Sequence, residues 1–193
     1  RQLLRRTTLT EQPVQSQVIA PSGEIVVWGD REGTLTVRAI NPDGISPVSV
    51  PQKTLKLESP VSLVRISDDE KTVVAAAGHQ IHLWQHVSGQ QQTIDFHRAS
   101  VTAVRISGDT LLAGDVDGVI SAWEVSSGRR LWSIRSSASV IDLVLLPKSG
   151  AFIYAGSRGG QSADILAYRL PDTVDSDGRP QRLGQLRFPR DRI

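Results

Sequence analysis

The residues of this chain whose types could do chemistry are four histidines, a run of closely spaced carboxylates and one glycine-rich stretch. Asp115, Asp117, Gly118 and Glu124 overlap the calcium-loop spacing D-x-[DN]-x-[DN]-G-x5-E, in which carboxylate oxygens at alternate positions wrap a hard cation. The first ligand position, however, holds Ala113, and the flanking residues read as strands rather than helices. Asp-Gly is also a strong hairpin signal, so the segment is read as a turn. Asp175-Ser176-Asp177-Gly178 has no closing Glu and reads as a loop. Gly156-Ser157-Arg158-Gly159-Gly160-Gln161-Ser162 lacks the Lys-Ser/Thr ending of a phosphate-cradling loop and reads as the link between two strands. His79, His82, His86 and His97 do not assemble a zinc ligand set by spacing, and no Gly-x-Ser-x-Gly elbow occurs. The expectation is a chain with no catalytic residues, no cofactor and no metal.

The elements that must position these side chains are short strands. From Ala99 to Ser136, apolar runs alternate with the turns Gly108-Asp109, Asp115-Val116-Asp117-Gly118 and Ser126-Ser127-Gly128. Runs of four to seven residues rich in Val, Ile, Leu and Trp between such turns predict an antiparallel meander, and no 3.6-residue apolar stripe competes with it. The meander recurs. Val61-Ser62-Leu63-Val64-Arg65-Ile66-Ser67 matches Val101-Thr102-Ala103-Val104-Arg105-Ile106-Ser107 forty residues on, and Ser139 to Val144 matches again after thirty-nine. Trp84 and Trp123 stand thirty-nine apart. A period near forty with four strands per unit predicts propeller blades, each burying its apolar faces against a neighbour.

On these residues the chain resembles the WD-repeat β-propellers. Phe96-His97 stands at the family's Gly-His place, Gly108-Asp109 and Asp117-Gly118 at its two turns, and Trp123-Glu124 at its Trp-Asp place. The corresponding third-strand place holds Trp84-Gln85 in the unit before, Tyr168-Arg169 in the last unit and Arg38 in the first. The resemblance implies an all-β fold of four-stranded antiparallel blades. It also implies a hydrogen-bonded network within one blade that joins His97, Asp117 and Trp123, in which the second-strand hydroxyl is missing at Ala113-Gly114. The expected division is an outer strand of a preceding blade over 1–9, then blades over 10–58, 59–96, 97–137 and 138–190. Because rings of this family have about seven blades of roughly 40–45 residues, four units are read as part of a larger ring. The third unit also resembles quinoprotein-type repeats through Gly118 to Trp123 and Ser127 to Trp132, which would imply a propeller enzyme as a lesser alternative, but no acidic cage for a calcium-bound cofactor accompanies it.

Composition narrows the remaining choices. The chain has 193 residues, is 39% hydrophobic and 22% charged, and lacks both cysteine and methionine, which excludes disulfides and thiolate metal sites. No apolar run approaches the length of a membrane-spanning helix, and no secretory signal is visible; the cytoplasm or nucleus is the expected compartment. The net charge of +2 hides basic ends: Arg1, Arg5 and Arg6 at the start, and Arg179, Arg182, Arg187, Arg190 and Arg192 against Asp191 at the finish. The body between them is acidic. The expected function is a non-catalytic scaffold within a multiprotein assembly, whose partners are other protein subunits and the remainder of its own propeller. Its expected contact residues are polar groups at blade turns: Arg31, His79, Arg98, Asp115 and Arg158. The alternative is an accessory subunit whose basic ends contact nucleic acid or an anionic lipid surface.

Overall fold

In a computed structural model, residues 12–40, 52–158, 162–170 and 179–189 are described; the expected strand over 1–9 and the loop around Asp175 lie outside them. Among the described residues sixteen strands form four separate four-stranded sheets, each an antiparallel meander in chain order. The first holds β1 (Val14–Ile19), β2 (Ile25–Asp30), β3 (Thr34–Ala39) and β4 (Gln52–Lys56). The second holds β5 (Val61–Ile66), β6 (Thr72–Ala77), β7 (Gln80–Gln85) and β8 (Gln90–Ile94). The third holds β9 (Val101–Ser107), β10 (Thr110–Asp115), β11 (Val119–Glu124) and β12 (Arg130–Arg135). The fourth holds β13 (Ser139–Leu146), β14 (Ala151–Arg158), β15 (Ser162–Arg169) and β16 (Gln181–Pro189). The only helical residues among those described are one 3-10 turn, Pro147–Ser149.

The sheets stack face to face as blades. Their first strands line one side, with β1 on β5, β5 on β9 and β9 on β13, while β13 makes no packing of that extent with β1 among the described residues. Strand β6 shows why the stacking is obligatory. Its sequence TVVAAA is buried throughout: Val73, Ala75 and Ala77 pack on the first blade, Val74 and Ala76 on the third. A strand covered on both faces carries a continuous apolar run instead of an alternating one. Removing the neighbours would expose both rows, at about 25 cal/mol per Å² of apolar surface. The fourth strands β4 and β8, QKTLK and QQQTI, are mostly exposed and polar.

Each first strand carries a bulge one residue after its leading valine, at Gln15, Ser62, Thr102 and Ile141. The bulge places the blades in a common register. The same third-strand position is held by Arg38, Trp84, Trp123 and Tyr168, opposite Val26, Val73, Leu111 and Phe152 of the second strand. Close approach between blades needs glycine: a Cβ on Gly114 would stand 2.5 Å from Val140 Cγ1 of the next blade. One expectation changes. Gly156, Ser157 and Arg158 belong to β14, not to a link, because the ladder to β15 continues through Gly156↔Asp164 and Ser157↔Ala163.

Candidate functional site

The blade topology gathers the expected contact residues at one end. The turns between second and third strands, and the connections from each blade to the next, all lie at that end, since every strand reverses direction. Arg31 sits in the β2–β3 turn, His79 in the β6–β7 turn, Arg98 in the β8–β9 connection, and Arg158 closes β14. Arg31, His79 and Arg98 are exposed. His79 Nε2 lies 3.3 Å from an Asp95 carboxylate oxygen, and the two line a shallow recess of about 530 Å³ with Phe96, His97 and Arg98. Beside it, the Arg130 guanidinium stands 4.4 Å over the Phe96 ring, within cation–π range.

Asp115 does not belong to this exposed set. Its side chain is 1% exposed. One carboxylate oxygen accepts the backbone N–H groups of Asp117 (3.0 Å) and Val119 (2.8 Å), bridging the turn. Asp30 caps the β2–β3 turn in the same way, accepting from Glu32 and Thr34. A short carboxylate at the last residue of a strand satisfies turn amides that have no ladder partner. The turn then needs Gly118: its φ is +80°, and a Cβ there would lie 2.6 Å from the Ala138 carbonyl oxygen.

The other oxygen of Asp115 completes a buried network. It lies 2.7 Å from His97 Nδ1; His97 Nε2 lies 2.8 Å from Ser121 Oγ; and Ser121 Oγ accepts from Trp123 Nε1 at 2.9 Å. A carboxylate can only accept, so the neutral ring carries its hydrogen on Nδ1, facing Asp115; Nε2 then accepts from the Ser121 hydroxyl, whose oxygen accepts from the indole N–H. Two expectations are thereby corrected. The carboxylate is Asp115, not Asp117, which is exposed and reaches only Arg135 at 4.0 Å. The hydroxyl is not missing: Ser121 supplies it from the third strand, not the second. Ser121 and Trp123 are two apart on β11 and so share a face, a period-two signal already legible in the sequence.

Asp–His–Ser in hydrogen-bond series is also the connectivity of a hydrolytic triad. Here it cannot meet a substrate. The His97 side chain and Ser121 are both fully buried, and the Ser121 oxygen is occupied by the indole. Phe96 packs edge-on against both His97 and Trp123, 5.4 and 5.5 Å between centroids. The network holds the entry connection, the β10–β11 turn and the β11 strand together. The second blade lacks it: Ala77 stands at the Asp115 position and His82 at that of Ser121. His82 bonds Thr93 Oγ1 at 3.1 Å instead, and its burial holds its pKa below the usual imidazole value against the raising effect of Glu58. Among the described residues no group of three or more His, Cys, Asp or Glu side chains is placed to hold a metal ion.

No protein-family model matches the chain. The solved WD40 repeats of RRP9 superpose on 93% of it with a TM-score of 0.68 at 16% identity. The fold is that of a WD40-repeat β-propeller. A chain in the mitotic checkpoint complex matches over 84% of this chain with a TM-score of 0.69 at 17% identity. Both solved chains are about twice as long, with 52% and 51% of their lengths covered. In sequence, U3 small nucleolar RNA-associated protein 15 of Schizosaccharomyces pombe is 26% identical over 93 residues, which are 46% of this chain and 19% of the yeast protein.

Proposed function

We propose that the chain is a non-catalytic protein-interaction scaffold, acting as an arc of a WD40 ring within a larger assembly. One observation carries the reading. The buried cluster with catalytic residue types is closed on itself, while Arg31, His79, Arg98 and the Arg158 position crowd one end of the blades. Arginine suits such a rim, because its planar fork pairs carboxylates and carbonyls with defined geometry. The checkpoint chain is part of a complex, which supports the same reading.

The test is affinity purification of the tagged protein from its own cells, with quantitative mass spectrometry, for the parent and for a variant combining R31A, H79A, R98A and R158A. Loss of at least one stoichiometric partner with retained far-ultraviolet circular dichroism is expected. Retention of every partner would refute the assignment of this end.

A second reading, contact with a polyanion through the basic ends, is favoured by the name of the yeast relative, a small nucleolar RNA-associated protein. That name also supports the nucleus as compartment. Phosphate-dominated binding would fall steeply with salt, with a log–log slope near −0.9 per phosphate contacted on duplex DNA and about −0.7 on single strands, whereas a packed protein interface falls far less.

A further inference from the structure

Two arginines stand at equivalent places on the inner strands. Counted from the bulges, Val18, Arg65, Arg105 and Val144 occupy one position of the four blades. Arg65 and Arg105 are both half-buried and anchored identically, each donating from Nη1 to the carbonyl of its own preceding residue, Val64 or Val104, at 2.7 Å. Their guanidinium groups are therefore presented in the same way, one blade apart.

Their surroundings differ. Arg105 donates to the Asp142 carboxylate of the following blade at 2.5 Å. The position equivalent to Asp142 in the blade that follows Arg65 is Ala103, by the same bulge register. Among the described residues Arg65 has no carboxylate within 4 Å. The nearby acids are engaged elsewhere: Asp68 accepts from Ser107, and Asp69 from Ser67 and the Lys71 backbone. Burial and the neighbouring Arg105 charge both lower the Arg65 pKa, with Asp142 a smaller opposing influence. A half-buried guanidinium keeps four of its five donors and carries an unneutralised charge.

We infer that the Arg65–Arg105 pair is a carboxylate-binding subsite on the inner wall of the propeller, which takes an aspartate or glutamate side chain from an acidic segment of a protein partner. The trio Arg65, Arg105 and Asp142 has a net charge of +1, so a single carboxylate balances it. A dianionic phosphate would leave excess negative charge facing Asp142. The planar fork of Arg65 offers the bidentate geometry a carboxylate fits. This rests on the reading of the chain as a protein scaffold, but the subsite lies near the opposite end of the inner strands from Arg31, His79 and Arg98.

The test is calorimetric titration of the whole chain at low salt with an end-blocked hexaglutamate peptide, and in parallel with an end-blocked phosphoserine peptide. R65Q removes the charge. D142N removes the one carboxylate that shares the site, at a half-exposed position, and leaves the charge of both guanidinium groups unopposed. K148Q controls for general surface charge. Binding of hexaglutamate by the parent, weakened about five-fold or more by R65Q, strengthened by D142N and changed less than about two-fold by K148Q, is expected for one charge-assisted contact. D142N also guards against misfolding, because a variant that had merely lost its structure could not bind more tightly; weaker binding by D142N would overturn the inference. No hexaglutamate binding by the parent, equal binding by R65Q and the parent, or binding of the phosphoserine peptide alone would overturn the inference. Any of these would leave the purification result at the Arg31 end to stand or fall separately.

Discussion

Replacing Asp115 by alanine should cost far more than the same change at Asp117, although the two lie two residues apart in one turn. Asp115 accepts the His97 N–H in a fully buried setting and two backbone N–H groups in a partly buried turn. Alanine leaves three donors without an acceptor. At about 1–3 kcal/mol for each buried unmade partner, and with some relaxation toward water at the turn, the loss should be about 3–5 kcal/mol. That is a large share of the roughly 5–15 kcal/mol that stabilises a typical domain. Asp117 offers only an exposed ion pair at 4.0 Å, worth about 0–0.5 kcal/mol. D115N is the informative intermediate. Its amide oxygen still bridges the turn, and its NH2 can donate to Nδ1 if the imidazole changes tautomer and Nε2–H turns to Ser121, so it should lose less than D115A. Urea unfolding followed by tryptophan fluorescence, with slopes compared across variants, measures all three. A D115A loss below about 1 kcal/mol, or a D117A loss equal to it, would refute the argument that the buried network, rather than the turn sequence, holds this blade together.

Three further outcomes follow from the same geometry. G118A should destabilise far more than G108A: both glycines have positive φ, but only at 118 would the new methyl meet carbonyl oxygens, at 2.6 and 2.7 Å, whereas at 108 nothing lies within 4 Å. Thermal midpoints separate them, with G108A costing about 1 kcal/mol. His82 has a pKa below its unfolded value of 6.5 because burial disfavours its charged form. The unfolded chain therefore binds the extra proton first as pH falls through about 6.5, and stability drops from there down to the folded pKa. H82Q should flatten the urea-midpoint profile between pH 7 and pH 5; an unchanged slope would show that burial of His82 is not its source. Finally, W123F should lose about 1 kcal/mol beyond its packing change, through the donor removed from Ser121.

The forty-residue period, the four strands per unit and most turns were legible in the sequence, because a blade is a local meander whose strand spacing and turn residues are set by neighbours in the chain. Trp84, Trp123 and Tyr168 could be aligned for the same reason. Even the Asp115 cap had a signal, since Asp30-Arg31-Glu32-Gly33 and Asp115-Val116-Asp117-Gly118 share an acid three residues before glycine. What the chain order could not supply was which side chains meet across the stack. Asp115 and Asp117 are chemically equal in sequence, and only burial against His97 separates the structural carboxylate from the solvated one. Arg65 and Arg105 sit in nearly identical heptapeptides, yet Arg105 meets Asp142 of the next blade while the register position equivalent to Asp142 after Arg65 holds Ala103. Contacts between sheets depend on stacking and register over some forty residues, and local pattern carries no record of them.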